Sequence, residues 1–386
     1  YYEQFQAKLI IPTPLGINFL GGFSQAQGDF LNPEYSTDPT GLWNFGFEAN
    51  LIQGLFVNER LIGLKQARLI QDMAVWEQEL ALNDLILEAS LAYLEWQKLE
   101  AFHQAYISNS ELAKAYFLNT KSAFFAGEKT AMDTLESYVL WQDAEALLMN
   151  NQAMLTKTRQ NLENFLWFKN QPVLLQEMTQ PEAISNQEWQ LNYPDFDALV
   201  NQHPSIQLGN TKINRLNLEQ RWKREKLKPK LKLKYTPLSS NPNAWFTGFG
   251  DVDNLTWALN LSIPILMRTE RAEVQQGEIK INQASLDLEL KRTMLRNKLE
   301  ASWNNQLTLA EQAALIQKNV IAYERLYQGE RKKFDFGESS VFLITKRQEK
   351  LLQGKLKLIE TQIKQEATQL DYLFLSNQLV DQVMGF

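Results

Sequence analysis

Two short turns, each centred on a glycine and flanked by long helical patterns, constrain the fold of this chain most strongly. The second turn lies in FDFGESSVFLITKRQEK, residues 334–350, with about fifty proline-free residues of helical pattern before it and about thirty after it. Gly337 suits the left-handed conformation that ends a helix, and Ser339 or Ser340 can cap the next helix. The turn is therefore predicted to be the tip of a long helical hairpin.

The same signal occurs earlier in FFAGEKTAMDTLESY, residues 124–138, where Gly127 corresponds to Gly337 and Thr130 to the capping serine. Before this turn, from Leu82 to Tyr106, apolar residues recur at alternating spacings of three and four, which is the pattern of a coiled-coil seam. A helix from Glu59 to Phe125 would be about 100 Å long at 1.5 Å per residue. A rod of this length cannot be covered by a single soluble core.

Four segments with a period of two predict β-strands: residues 15–26, residues 42–53, a third around Leu231–Tyr235 and a fourth from Leu255 to Ile263. The last three strands place apolar residues on one face, namely Trp43, Phe45 and Phe47, then Leu231, Leu233 and Tyr235, then Trp257, Leu259 and Leu261. One such strand would fit a soluble sheet. Several strands with an aromatic-rich apolar face opposite a polar one are typical of a membrane barrel, because lipid touches one face and water the other.

The order strand, strand, long helix, glycine tip and return helix occurs twice. Glu59 corresponds to Glu270 at an offset of 211 residues, and the two tip glycines are separated by 210 residues. A period of this length indicates a duplication rather than a solenoid. The first copy has no counterpart of the helix predicted near 195–227, so we expect a further segment before Tyr1.

Composition excludes several classes of function. The formal net charge of −6 argues against a nucleic-acid surface, and the basic stretch from Arg221 to Lys234 is interpreted as cations at a helix end followed by lysines on one face of a strand. The chain has no cysteine and only two histidines, so we expect no metal and no cofactor. No run approaches eighteen apolar residues, so a membrane-spanning helix is not expected. No phosphate-binding loop, nucleophile elbow or HExxH motif is present, so an enzyme is not expected.

Four strands cannot close a barrel, since about eight are needed. Open sheet edges are not tolerated in lipid. If the strands lie in a membrane, the chain must therefore form an oligomer, with eight strands in a dimer or twelve in a trimer. The helices follow the strands directly, so the same symmetry would arrange them as a tube.

The duplicated layout, the run GESSVFLITKRQEKLLQGKLKLIETQ and the HPSIQ…KLKPKLKL approach to the third strand resemble the outer membrane efflux proteins of the TolC family. The resemblance covers essentially the whole chain. It implies an α+β membrane protein: a homotrimer with a twelve-stranded β-barrel in the outer membrane of a Gram-negative bacterium, continued by a long α-helical barrel across the periplasm. It also implies passive export, with a periplasmic adaptor (membrane fusion protein) docked at the tips and an inner-membrane RND or ABC transporter as the driver.

On this reading the chain divides into seven predicted segments. They are 1–58, the first β-hairpin; 59–168, the first helical hairpin, with its tip at 127; 169–194, an equatorial segment; 195–228, a helix leading to the barrel; 229–267, the second β-hairpin; 268–376, the second helical hairpin, with its tip at 337; and 377–386, a C-terminal tail.

The resemblance also assigns roles to residues at the tips. The positions that match adaptor-contacting residues are Gly127, Thr130, Leu135, Gly337, Ser340, Val341 and Leu343. Family members often narrow the entrance with aspartates six and nine residues after the second tip glycine, but this chain has Leu343 and Lys346 there. The first copy has Asp133 and Glu136 at the matching offsets, so we expect any acidic entrance ring to be built from these two. In a trimer, such rings of like charge would raise carboxylate pKa values.

Two alternatives remain open at this point. The same channel body would serve polypeptide secretion as well as small-molecule efflux. A protein of a different class, a soluble coiled-coil scaffold with a small β-domain, would also contain the long helices, but it would not need the alternating aromatic strand faces.

Overall fold

The computed structural model describes residues 1–32, 34, 36–176, 178–184, 193–240 and 255–384. The strands are β1 (Tyr2–Pro12), β2 (Ile17–Gly28), β3 (Leu42–Asn50), β4 (Trp167–Phe168), β5 (Gln171–Pro172), β6 (Lys230–Ser239) and β7 (Leu255–Ser262). The helices are α1 (Glu59–Phe125), α2 (Ala131–Glu163), α3 (Phe196–Gln202), α4 (Pro204–Glu225), α5 (Arg268–Asp335), α6 (Val341–Leu375) and α7 (Leu379–Met384). The predicted loop 241–254, residues 185–192 of the equatorial segment and the last two residues lie outside the described part.

The main sheet is antiparallel and has the strand order β1-β2-β3-β6-β7. All four predicted strands are present, and the duplicated order of strands, long helix, tip and return helix is confirmed. The sheet also contains β1, a fifth strand that the prediction did not include. Its first half places Gln4 and Gln6 on one face and Glu3 beside Phe5 on the other, so it lacks the period-two signal of the remaining strands.

The register places all nine predicted apolar positions of the last three strands on one face of this sheet. Phe47 lies opposite both Phe19 and Tyr235, and Tyr235 lies opposite Trp257, which forms an aromatic row across four strands. Directly opposed residues share a face in an antiparallel pair. Many of these side chains are exposed in the single chain, among them Trp43, Phe45, Trp257, Leu259 and Leu261.

The long helix α1 begins and ends where the sequence predicts, and α5 extends over a similar length. Two predicted helices differ. The return helix α2 ends at Glu163 instead of near Phe168, because Lys169 and Asn170 have positive φ values and turn the chain into the β4–β5 hairpin. The helix predicted near 195–227 is divided into α3 and α4, because His203 precedes a proline and has extended backbone.

The chain consists of two compact units. One contains Tyr1–Glu77 with Ser205–Lys291 and includes the main sheet, and the other contains Gln78–Pro204 with Arg292–Phe386 and includes both tips. In the second unit, Trp96 and Leu99 of α1 pack with Leu155 and Leu162 of α2. A separate cluster joins α5 and α6 through Ile316, Val320, Tyr327, Ile344 and Leu351. Among the described helices, none has a segment long and apolar enough to cross a membrane.

Candidate functional site: the two hairpin tips

The first tip ends α1 with the two hydrogen bonds of a Schellman motif. Gly127 has a φ of 81° and donates its backbone N–H to the carbonyl oxygen of Phe124 at 3.0 Å. The backbone N–H of Glu128 donates to the carbonyl oxygen of Ala123 at 2.9 Å. These bonds satisfy carbonyls that would otherwise have no partner at the helix end.

The second tip has the same geometry, as the sequence repeat predicts. Gly337 has a φ of 75° and donates to the carbonyl oxygen of Phe334 at 2.9 Å, and Glu338 donates to that of Lys333 at 2.8 Å. A Cβ atom at Gly127 or Gly337 would meet no atom of the described chain within 4 Å. Glycine is therefore required at both tips by backbone conformation and not by lack of space.

The return helices begin with different caps. At the first tip, Thr130 Oγ1 accepts from the backbone N–H of Asp133 at 3.1 Å, and the Asp133 carboxylate accepts from the backbone N–H of Thr130 at 3.0 Å. This is a reciprocal capping box. At the second tip, Ser340 Oγ accepts from the backbone N–H of Leu343 at 3.3 Å, and leucine at that position cannot return a bond. The first tip is therefore the better capped of the two.

Most of the predicted docking residues lie on the surface of the tips. Gly127, Thr130, Leu135, Gly337, Ser340 and Leu343 are all exposed. Val341 is different, since it is only 1% exposed and packs inside the hairpin. Its predicted role as a direct contact for a partner does not fit this position, because the first residue of α6 turns inward after the Ser340 cap. Val341 supports the tip from within.

Sequence reasoning missed four large apolar side chains that extend the exposed surface of the tips. Phe125 is 77% exposed and Phe336 is 81% exposed, and both lie within two residues of a tip glycine. Met132 and Phe342 are also exposed, in the first turns of α2 and α6. The signal was present in the sequence as apolar residues on both sides of each turn, where solvated loops are ordinarily polar.

Aromatic and amide contacts bring the two hairpins together near the tips. The ring of Tyr116 in α1 packs against that of Phe334 in α5 with centroids 5.2 Å apart, and Lys129 Nζ lies 4.7 Å from the Phe334 ring centroid. Further along, the side-chain amide of Gln348 donates to Asn109 Oδ1 at 2.9 Å. The tips therefore belong to one packed structure within their unit.

An acidic residue that was not predicted, Glu330, organises the second tip. Its carboxylate accepts from Ser339 Oγ at 2.6 Å and lies 3.8 Å from the guanidinium of Arg347. Glu330 connects the last turns of α5 to the turn and to α6. Its position cannot be inferred from the spacing of the tip motif alone, because the contact depends on how the return helix folds back.

The structure brings the two predicted entrance carboxylates, Asp133 and Glu136, onto the first turns of α2. Hydrogen bonds from the backbone and side chain of Thr130 lower the pKa of Asp133 from its ordinary value of 3.8. Burial raises the pKa of the Tyr116 hydroxyl, and the nearby charges of Glu136 and Asp133 raise it further. In the single chain, Asp133 is thus a capping carboxylate that remains ionised at neutral pH. Glu136 is exposed and takes no part in the capping box.

Comparison with a family model and with solved structures gives matches, and comparison with curated protein sequences gives none. Residues 197–373 match the family model described as outer membrane efflux protein. No curated protein sequence matches the chain significantly. Among solved structures, the chain is similar to CusC, with a TM-score of 0.72, 14% identity and coverage of 97% of this chain and 83% of that one.

Two further solved structures have the same fold. The Campylobacter jejuni outer membrane channel CmeC gives a TM-score of 0.68 at 11% identity, covering 98% of this chain and 78% of that one. The Vibrio cholerae outer membrane protein VceC gives a TM-score of 0.68 at 12% identity, covering 98% of this chain and 87% of that one. At these identities the structural matches establish the fold.

Proposed function

We propose that this chain, whose residues 197–373 match the family model of outer membrane efflux proteins, is the outer-membrane exit duct of a tripartite export system. It conducts substrates passively and is not an enzyme. The duct lies in the outer membrane of a Gram-negative bacterium and extends into the periplasm. Its four predicted parts are the two β-hairpins, 1–58 and 229–267, and the two helical hairpins, 59–168 and 268–376.

The observation that carries this proposal is the apolar face of the main sheet. Trp43, Phe45, Trp257, Leu259 and Leu261 are exposed on one face of an antiparallel sheet. The opposite face carries most of the charged and amide side chains of these strands, together with the buried Leu20. A soluble sheet would bury such a face against a second layer. An outward apolar face opposite a polar lumen is what a membrane β-barrel requires.

Three copies of the chain close the barrel on this proposal. An apolar stripe on the long helix α5 supports an oligomer. The stripe recurs at helical spacing, is exposed in the single chain and consists of Ile279, Leu286, Leu290 and Met294. Exposed apolar stripes of this kind mark an interface. Packing between neighbouring copies would cover them.

Strand direction favours twelve strands rather than fifteen. In the main sheet, each strand is antiparallel to its neighbour in the order β1-β2-β3-β6-β7. The fifth strand, β7, therefore runs in the same direction as β1 and opposite to β2. Under rotational symmetry, β7 of one copy would therefore pair antiparallel with β2 of the next, but parallel with β1. Because outer-membrane barrels are antiparallel with an even number of strands, β2, β3, β6 and β7 supply the twelve.

Closure in this arrangement displaces β1 from the edge of β2. All eleven residues of β1 are exposed, so β1 buries little side-chain surface. Replacing its ladder by that of a neighbouring β7 conserves the backbone hydrogen bonds and loses little burial.

The tips are proposed to dock the periplasmic adaptor, with an inner-membrane RND or ABC transporter as its partner. The docking residues are Gly127, Thr130, Leu135, Gly337, Ser340 and Leu343, supported from inside by Val341. The exposed side chains of Phe125, Phe336, Met132 and Phe342 enlarge the apolar surface that such a partner would cover. Asp133 and Glu136 are proposed to border the channel entrance.

The test is the detergent-corrected mass of the full-length protein extracted from outer membranes, by light scattering, followed by conductance in planar bilayers. We expect a mass of three chains and discrete channels. A monomer that is soluble without detergent would instead mean that the sheet belongs to a soluble scaffold, and the duct proposal would be abandoned.

A further inference from the structure

The polar face of the main sheet carries an excess of positive charge. In the described strands, the residues that share this face include three lysines of β6, Lys230, Lys232 and Lys234, and one carboxylate, Glu48. Lys8 shares the face in the single chain, but it lies on β1, which the proposed closure displaces. On the opposite, apolar face, Glu3 is the single charged residue among those of the described strands. The excess is local, because the whole chain has a net charge of −6.

The basic stretch of the sequence divides into two parts with different surroundings. On α4 and just after it, the cations face carboxylates: Arg224 lies 3.0 Å from Glu278, Lys226 lies 3.2 Å from Glu273 and Lys228 lies 2.7 Å from Glu225. These charges are locally neutralised. They account for the helix-end interpretation of the stretch.

In the described strands, the three lysines of β6 share one carboxylate, Glu48, which lies directly opposite Lys234 in the β3–β6 register and forms an ion pair with Lys232. Lys232 Nζ lies 3.3 Å from Glu48 Oε1, across the β3–β6 ladder. Within the described residues, Lys230 and Lys234 form no ion pair. Arg60, at the start of α1, donates to Asn18 Oδ1 at 2.6 Å. Asn18 lies opposite Glu48 on the same face, so Arg60 adds another cation near it.

The spacing of these lysines makes their charges act together. Alternate residues of a strand are about 7 Å apart, so the three lysines of β6 form a row about 14 Å long. This spacing is below the Debye length of about 8 Å at physiological ionic strength, so their potentials overlap. In a lumen with low-dielectric walls, charge of one sign concentrates counter-ions and excludes ions of the same sign.

From this we propose that the lumen of the sheet domain is an electropositive lining that selects anionic substrates, such as carboxylates, phosphates or sulfonates, with Lys230 and Lys234 as its main selectivity residues. The inference rests on the proposed duct, in which the polar face lines the lumen. Threefold symmetry would repeat the row three times around the exit. The three lysines lie in the first half of β6, the end of the strand that follows α4. In the proposed duct, substrate passes there from the helices into the sheet.

The experiment measures the reversal potential of full-length channels in planar bilayers under a KCl gradient. The double variant Lys230→Gln with Lys234→Gln should lower the chloride-to-potassium permeability ratio by about twofold, as two screened charges per copy are removed. Glu48→Gln should raise the ratio, because it frees Lys232. The control, Lys212→Gln with Lys280→Gln, removes the same charge from exposed helix positions and should have a smaller effect.

Each measurement is repeated in a Glu136→Gln background, which removes one of the two proposed entrance carboxylates and reduces their influence on the ratio without disturbing the Asp133 cap. If the wild type conducts but the strand variants alter the ratio no more than the helix control does in either background, the anionic selectivity is refuted and the duct stands. If the purified trimer forms no channels at all, the duct itself is refuted. Inorganic tripolyphosphate serves as a polyvalent probe and should block the wild type more strongly than the double variant.

Discussion

The side chain of Gln348 in α6 donates to the side-chain oxygen of Asn109 in α1 at 2.9 Å, and also reaches the Asn109 backbone oxygen at 3.4 Å. Gln348 is buried, although it lies in a long helix whose other buried positions are mostly apolar. This amide pair is a specific polar connection between the first and the second helical hairpin.

We expect Gln348→Ala to lower stability by about 1–3 kcal/mol, because it leaves the Asn109 side-chain oxygen without its partner. The measurement is the midpoint of thermal unfolding in detergent, monitored by circular dichroism. Gln152→Ala removes an exposed glutamine from α2 and should leave the midpoint nearly unchanged. Equal midpoints for the two variants would show that the connection contributes nothing.

Alanine at either tip glycine should destabilise the chain. Gly127→Ala and Gly337→Ala force a residue with a Cβ into the left-handed region, at a cost of about 1–2 kcal/mol each. Gly63→Ala and Gly329→Ala are matched controls, since these glycines lie in helices and a Cβ there meets nothing within 4 Å in the described chain. The controls should gain up to about 1 kcal/mol, because alanine favours a helix. The prediction fails if both pairs move the thermal midpoint in the same direction.

Loss of the first cap should cost more than loss of the second. Thr130→Ala removes the hydroxyl of a reciprocal box and should cost about 1 kcal/mol, whereas Ser340→Ala removes one longer bond and should cost less. Thr156→Ala changes an exposed threonine within α2 and serves as the control. Hydrogen exchange of the amides at the start of α2 and α6 would report each cap separately, and equal protection changes would contradict the asymmetry.

The contribution of Asp133 should depend on pH. Its pKa is lowered from 3.8 in the folded chain by the hydrogen bonds from Thr130, so the stabilisation is present above the pKa of the unfolded state and is lost as pH falls through the folded value. The stability difference between wild type and Asp133→Asn should be constant above about pH 5. It should shrink below pH 3.8, and a difference that persists at lower pH would exclude ionisation as its cause.

Removal of the proposed entrance carboxylates should alter permeation. Asp133→Ala with Glu136→Ala should reduce the preference for cations at the tips and change single-channel conductance, because rings of carboxylates attract cations. Glu136→Gln alone separates the charge effect from the cap, since Glu136 takes no part in the capping box. Unchanged conductance and ion preference in the double variant would mean that the entrance is formed elsewhere.

The two faces of β7 should respond oppositely to a charge. Leu259→Lys places a cation on the apolar face and should cost about 2–4 kcal/mol if that face contacts the middle of the bilayer. Asn260→Lys makes the same change one residue later, on the polar face, and should be tolerated. The yield of each variant in the outer-membrane fraction measures the difference, and similar yields would contradict lipid contact.

The sequence alone determined the elements whose signals are local. The tip glycines, the boundaries of α1 and the alternation of Trp257, Leu259 and Leu261 each follow from short-range conformational preference or hydrophobic period. The duplication was also visible, because it repeats these signals at a fixed offset. For the same reason the two tips have nearly identical geometry.

Only the tertiary structure decided what depends on the partner of each segment. The pairing of β1 with β2, the inward position of Val341, the Glu330 contacts and the ion pairs of α4 involve residues brought together by folding. Periodicity reports which face of an element is apolar, but it does not report which neighbour covers that face or which charge meets another. Within the described residues, the basic stretch separates into cations that pair with carboxylates near the end of α4 and strand lysines of which Lys232 alone forms an ion pair. This separation is a property of the fold, because spacing along the chain does not determine distance in space.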